Sequence, residues 1–524
     1  MTPYYVSQST ANGYAVGSDS NNGTSQTTPW LTVDHALATA PSGSTIIVND
    51  GTYQAATYFS FGNSGQILIP QTPGACTLQC AAGNTTAVLL QNAGGVACTV
   101  GNFNLDCTPG GAGVVALQCN SILNAGNKSL GIDGPNLVNT GSAKSASALW
   151  LGATTAQLTG WNIKINGAFN KGGVFTGPGL TTGFVDIDGI SGSVTSVNYD
   201  RSGGVSAYSA TTGYTTGWMR VRRCSLSVAT TGGNNPGVLL AVNLPFVFEN
   251  NREMIISGTS TSACITGGLM NNTNVINGNQ ICRYNRGINT ASGHYLHLHG
   301  FDGAATTPNA MNYPVVHDND YEYSGVDTIP HGYILGDMNG GVVSHNIARG
   351  VAIPFVSKYQ SERSYWVANQ NQNWGTYTGA SGLYAKGTVN ALFASNVIYV
   401  DANDHGMPME SSWDGTSIMS TGTMFIGNIV SCTGYAPANL AQVGTPGNAS
   451  DTSAATFFHN DYYTPGGVTG NPWTVGASTT YASLSAWQAV EQNALAVTPI
   501  FSGVPLMTAL QGRLYLKPPA GLGT

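Results

Sequence analysis

The sequence predicts an all-β solenoid, a single right-handed parallel β-helix with a cap at each end, on three observations. Short apolar runs recur along most of the 524 residues, and many of them close on Asn or Asp. Charged residues are only 8% of the chain, while Gly, at 69 residues, is about twice its usual ~7% share. Between the two ends no segment keeps a helical period. A stack of coils needs frequent tight turns and polar ladders more than it needs charge, and each coil buries its apolar side against its neighbours.

Residues 1–60 read as the N-terminal cap. Tyr4, Tyr5 and Val6 form a strand, and a polar, turn-rich loop follows. Thr32 caps a short helix from Val33 to Ala40 with Asp34 in its first turn, stopped by Pro41 and Ser42-Gly43. Ile46 to Val48 then make a strand that ends at Asp50-Gly51. A lone helix before a long β array covers the open end of the first coil. Residues 61–465 are the solenoid. Asn319, Asn346, Asn369, Asn396, Asn428 and Asn460 each close an apolar run, at spacings of 27, 23, 27, 32 and 32, one coil of three short strands apiece. Asn suits the corner because it tolerates left-handed backbone and its amide reaches the equivalent Asn one coil away. A β-sandwich is the alternative, and the recurring apolar–Asn signature favours the solenoid. Residues 466–524 form the C-terminal cap: Ser483 caps a helix carrying Leu484, Trp487 and Val490, and VTPIF (497–501) and LYLKP (514–518) follow.

The formal net charge is −7 with 17 Lys plus Arg and no basic block, so nucleic acid is not an expected partner. The stretch from Val238 to Phe248, broken by Asn243 and Pro245, is too short to span a membrane. The first residues lack the pattern of a secretory signal, and a virion or extracellular location is expected. Cys76, Cys98 and Cys119, spaced by 22 and 21, are expected to lie above one another as buried thiols.

The opening segment YYV…TVDHALATAPSGSTIIVNDGTY and the closing YASLSAWQAVEQNALAVTPIF resemble the entry and exit caps of the pectate-lyase-like right-handed β-helix superfamily, including phage tailspikes. With the Asn-closed repeats the resemblance covers nearly the whole chain. Residues 331–370 resemble the central coils of the alginate-lyase and chondroitinase-B type of polysaccharide lyase, whose catalytic lysine the resemblance places at Lys358. The pattern departs where that family has calcium-binding carboxylates, since Val351 and Ile353 stand there, and Lys386 is the cation nearest the family's arginine.

A lyase needs a base to take the proton α to a uronate carboxylate and a cation to stabilise the enolate; Lys358, Arg363 and Lys386 are the candidates. A hydrolase needs two carboxylates, and Asp318, Asp320 and Glu322 are expected on one side of an extended strand, with Asp327, His331 and Asp337 about one coil away. The same spacing could hold calcium; no other cofactor is expected. Asp404, His405, Glu410 and Asp414 form a second acidic group. In HYLHLH (294–299) alternation points Leu296 and Leu298 inward and Tyr295, His297 and His299 outward, with no third ligand that would make a metal site. Tyr321, Tyr323, His331, Tyr333, Tyr359, Trp366, Trp374 and Trp413 complete an expected sugar-contacting face, because sugar rings stack on aromatic planes. Three functional readings follow: a phage or virion spike, implying a homotrimer, that binds and degrades a surface glycan; a secreted polysaccharide lyase; and a non-catalytic structural or adhesive β-helix.

Overall fold

The computed structural model describes residues 2–488 except 120–128, 141–146, 153–156, 171, 177–182, 197–202, 209–216, 231–236, 243, 259–260, 269–279, 300–310, 326, 328–329, 337, 359–360, 373–380, 401–404, 411–421, 433–438, 444–454, 464–472 and 476–478. The described strands form three long sheets of 16, 15 and 16 strands, and the chain visits them in turn. One coil is typical: Val342–Ser344 lies in sheet 1, Ile347–Arg349 in sheet 2 and Ile353–Lys358 in sheet 3. Pairing between coils is parallel throughout, and only the last strand of sheet 3, Thr479–Tyr481, runs antiparallel to Trp473–Val475. This is a right-handed parallel β-helix. No described helix is long and apolar enough to cross a membrane.

The caps follow from local chemistry. Helix α1 (Val33–Thr39) begins where the Thr32 hydroxyl accepts from the His35 N–H at 3.2 Å. Its apolar side, Val33, Ala36 and Leu37, enters the core. Gln66, buried in the next coil, donates to the Leu37 and Ala40 carbonyls at 2.9 and 2.8 Å, so the helix C-terminus is satisfied by the solenoid it covers. At the other end Ser483 caps helix α2 (Leu484–Gln488) through the Ala486 N–H. Trp487 is buried against Phe457 and Trp473. Val490, VTPIF and LYLKP lie outside the described residues.

Inside, equivalent positions stack. Trp366, Phe393, Phe425 and Phe457 lie nearly parallel, with ring centroids 5.7, 5.0 and 4.9 Å apart. The cysteines correct the expected stack: Cys76 lies in sheet 2, Cys98 in sheet 1 and Cys119 in sheet 3. Their spacing is two-thirds of these longer coils, so each falls two sheets along, not a whole coil. All three are buried thiols.

The corner between sheets 1 and 2 holds the coils in register. Asn251, Asn285, Asn319, Asn346, Asn369, Asn396, Asn428 and Asn460 form one buried ladder, each side-chain amide donating to the next Asn Oδ1 at 2.9–3.0 Å. Each also donates its backbone N–H to that same oxygen, as Asn346 does to Asn369 at 3.1 Å. The ladder Asn is not the left-handed residue, as the sequence suggested. That conformation belongs to the residue before it, Asn250, Tyr284, Asp318, His345, Ala368, Ser395, Gly427 and His459, at φ 53° to 60°. Removing one ladder amide leaves the preceding coil's donors buried and unpaired. Asn369→Ala is therefore expected to cost about 1–3 kcal/mol in denaturant unfolding. Asn166→Ala, which breaks an exposed Asn136–Asn166 contact on sheet 2, is expected to cost less than about 0.5 kcal/mol.

Candidate functional site

The outer face of sheet 3 carries the site, and three columns of residues build it. Across neighbouring coils, His294 stands in register with His331 and Ile353. His297 stands in register with Ile334, Val356 and Tyr384. The third column runs His299, Gly336, Lys358, Lys386, Glu410. Strand spacing puts successive members about 4.8 Å apart along the axis.

The strand Ser292–His299 departs from simple alternation at its start. Gly293 has φ +121°, and the next residues place His294 outward and both Tyr295 and Leu296 in the core. Tyr295 crosses the interior to stack on Tyr321 at 4.7 Å and meet Tyr333 edge-on at 5.0 Å. Gly287 on sheet 2 makes room, since a Cβ there would lie 2.6 Å from the Tyr295 ring. Sequence alternation missed His294 because it took the whole run as regular; Gly293 was the available signal.

The His294 ring lies 4.8 Å from that of His331 and 5.3 Å from that of His297. The three histidines are half-buried as residues, and Nδ1 of His294 and Nδ1 of His331 are shut off from solvent with no hydrogen-bond partner among the described residues. Ile334 and Val356, between the histidines and the lysines, are buried and supply an apolar floor. Burial pushes the His294 pKa down to about 4; the positive charge of Lys358 acts the same way and Asp327 opposes it. His331 is held well below the ordinary histidine range by burial, then by His294 and Lys358. Lys386 lies 6.0 Å from the centroid of the Tyr384 ring. Neutral imidazoles beside a cationic lysine can accept a proton next to a group that holds an anion.

The other candidates lie elsewhere. Arg363 is exposed at the corner before sheet 1, its guanidinium on the Asn339 Oδ1. Asp320 and Glu322 share the outer face of the strand Asp320–Tyr323, but Asp318 does not. The chain turns at left-handed Asp318, whose carboxylate bonds His317 Nδ1 at 2.6 Å. Asp320 pairs with Arg349, and Glu322 lies 3.7 Å from Arg286. The carboxylates expected to act as a catalytic pair or calcium ligands are thus each engaged separately, and no metal-binding group is present among the described residues. Tyr295, Tyr321, Tyr333 and Trp366 are core residues, and Tyr323 is 5% exposed, so none offers a sugar platform. Their aromatic bulk fills the solenoid, because its interior takes large residues in stacks. Asp337, Tyr359, Trp374, Trp413, Asp404 and Asp414 lie outside the described residues, as do the side chains of His299 and Glu410.

No protein-family model matches the chain, and no curated protein matches it. Among solved structures it is similar to a GH136 lacto-N-biosidase from Eubacterium ramulus, at 11% identity over 88% of this chain and 67% of that one, TM-score 0.30. It is also similar to a PL6 family polysaccharide lyase from Pseudopedobacter saltans, at 11% identity over 88% of each chain, TM-score 0.26. A third is the A-module of a mannuronan C-5 epimerase from Azotobacter vinelandii, at 12% identity over 85% of this chain and 93% of that one, TM-score 0.22. Likenesses this slight do not bear on substrate or activity.

In an unfolded chain both imidazoles titrate near 6.5. In the folded chain they stay neutral to lower pH, so between the two values the unfolded state binds more protons. Stability is therefore full above about pH 6.5 and falls as the pH drops toward 4. The melting temperature is expected to fall over that window, and a His294→Gln/His331→Gln double variant to show a flatter profile. An unchanged profile would mean that the folded protein does not hold these rings neutral.

Proposed function

We propose that this protein binds a uronate-containing polysaccharide across the outer face of sheet 3 and cleaves it by β-elimination. The observation that supports it is the juxtaposition of desolvated neutral imidazoles, His294 and His331, with the charge of Lys358 on one face. Lys358 would hold the uronate carboxylate and stabilise the enolate formed there. A histidine nitrogen would take the α proton; the C–H electron pair forms the ring double bond, the C–O bond to the leaving sugar breaks, and the departing oxygen is protonated by the imidazolium so formed or by water. The described residues of this face present no pair of carboxylates, which is why elimination is favoured over hydrolysis. Fed polygalacturonate, alginate or chondroitin, the protein is expected to raise the ultraviolet absorbance of unsaturated uronate. Lys358→Ala and His331→Ala are each expected to lower the rate by about a hundredfold or more. Reducing ends released without that absorbance would overturn the elimination.

A second reading, a homotrimeric virion spike, is favoured by the outer face of sheet 1. There Val247, Ile281, Val315, Val342, Tyr365, Leu392 and Met424 lie in one register column over seven strands. Val342, Tyr365 and Met424 are 36%, 40% and 37% exposed. An apolar stripe of this length on a solvent face fits burial against further copies of the same chain. Light scattering is expected to give a trimer, and Tyr365→Glu with Val342→Glu a monomer. A wild-type monomer would sink this reading and leave the sheet 3 chemistry untouched.

A further inference from the structure

The outer face of sheet 3 is divided along the solenoid axis. Its first eight strands, from Phe59–Phe61 to Thr261–Gly268, hold no Asp, Glu, Lys, Arg or His. The next five, from Ser292–His299 to His405–Glu410, hold all of those residues that the described strands of this sheet have. The boundary falls at His294. One strand before it, the three outward columns continue as Ala263, Thr266 and Gly268, and one strand earlier as Gly237, Leu240 and Val242. The connections 231–236, 259–260 and 269–279, which flank these two strands in the chain, contain no charged residue either. The charges of the same two coils lie elsewhere: Arg220, Arg222 and Glu249 on sheet 1, Arg252 and Glu253 at its corner with sheet 2.

Leu240 and Ala263 are buried but stand outside the interior core cluster, so they form apolar ground on the outer face. Thr266 is half-buried, and its Oγ1 is shut off from solvent with no hydrogen-bond partner among the described residues. A carboxylate set over this ground would lose water with no cation among the described residues of these two strands to replace it, which is costly. A neutral sugar brings hydroxyl and amide groups, and the Thr266 hydroxyl can donate to one or accept from it. On the other side of the histidines the third column runs through Lys358 and Lys386 to Glu410, so a carboxylate there meets cations. His294, His331 and Lys358 succeed one another along the axis. A glycan that engages all three follows the axis, each pyranose advancing by roughly one coil.

We propose that the glycan cleaved here is one in which each uronate is flanked by uncharged sugars. The uronate lies between Lys358 and the histidines, and its neighbour lies beyond them, over Ala263 and Thr266. The proposal rests on the reading of sheet 3 as an elimination site and adds the class of substrate. Discrimination comes from the unpaired charge that a run of uronates would bring to the neutral strands, not from an extra contact with the preferred chain.

The test reads the absorbance of unsaturated uronate on two matched pairs of substrates. One pair is chondroitin and polyglucuronate; the other is a glycan of alternating rhamnose and galacturonate and polygalacturonate. Within each pair the uronate is the same and its neighbours differ. Alginate, a run of uronates throughout, is the fifth substrate. In the pair that it cleaves, wild type is expected to favour the alternating glycan by about tenfold or more in kcat/KM. Thr266→Lys sets an ammonium among the neutral strands. It is expected to raise kcat/KM on the consecutive uronate and to narrow that ratio by about tenfold, with an unchanged melting temperature. Equal or faster cleavage of polyglucuronate or polygalacturonate by wild type, or cleavage of alginate alone, overturns the proposal and leaves the elimination standing. A ratio that Thr266→Lys, folded, does not move overturns the placing of the neutral sugar. No absorbance change with any of the five substrates overturns the elimination and this proposal with it.

Discussion

Everything in this molecule depends on successive coils stacking in parallel register. Parallel pairing gives no turn that fixes the offset of two strands, so the offset must be set elsewhere. The buried Asn ladder sets it. A left-handed residue brings the chain around the corner, and the Asn after it gives one oxygen to two donors of the coil before and takes the next coil's oxygen for its own. A slip of one residue would leave several buried donors unpaired in every coil, each costing about 1–3 kcal/mol. The coils close tightly enough that some positions admit only hydrogen. A Cβ at Gly172 would lie 1.8 Å from the Gly203 carbonyl oxygen, and one at Gly258, φ +129°, 1.9 Å from that of Thr230.

Register in turn converts sequence spacing into surface chemistry. Opposite charges separated by one coil meet as pairs: Asp186 with Arg220, Glu249 with Arg283, Asp320 with Arg349. Surface pairs of this kind contribute little stability, typically under about 1 kcal/mol. They do penalise a mismatched register, because a shifted coil would set like charges against each other. The charges concentrate on sheets 1 and 2 in the middle coils, the apolar stripe follows on sheet 1, and histidine and lysine gather on sheet 3. One solenoid thereby presents chemically distinct flanks.

The features that repeat once per coil were legible in the sequence, and those set by a single local deviation were not. Asn319 to Asn460 announced the stacking because every coil needs the same corner, and Thr32 and Ser483 announced the helices because a cap is a local device. The site was read less well. Alternation correctly turned Leu296 and Leu298 inward and His297 outward but failed at Tyr295, where Gly293 shifts the phase. Asp320 and Glu322 do share a face, as alternation implied, but Asp318 was added to them because the corner there was read as strand. His331 and Lys358 were named separately; their proximity to His294 comes from the register of sheet 3, which no spacing in the sequence states.

That proximity has a cost that packing does not explain. Two imidazole nitrogens are buried without a partner among the described residues, near an ammonium that disfavours their protonation and above an apolar floor of Ile334 and Val356. Each unmade hydrogen bond costs on the order of 1–3 kcal/mol, and an apolar residue in the His294 or His331 position would remove that cost. The neighbouring positions show that the fold accepts such residues: Ala263 precedes His294 in its column, and Ile353 follows His331. Four of the nine histidines of the chain nevertheless stand on two adjacent strands of this one sheet. An arrangement that lowers stability, at positions where the same column carries plain aliphatic side chains, is not what packing alone selects, and it supports the proposed use of this face.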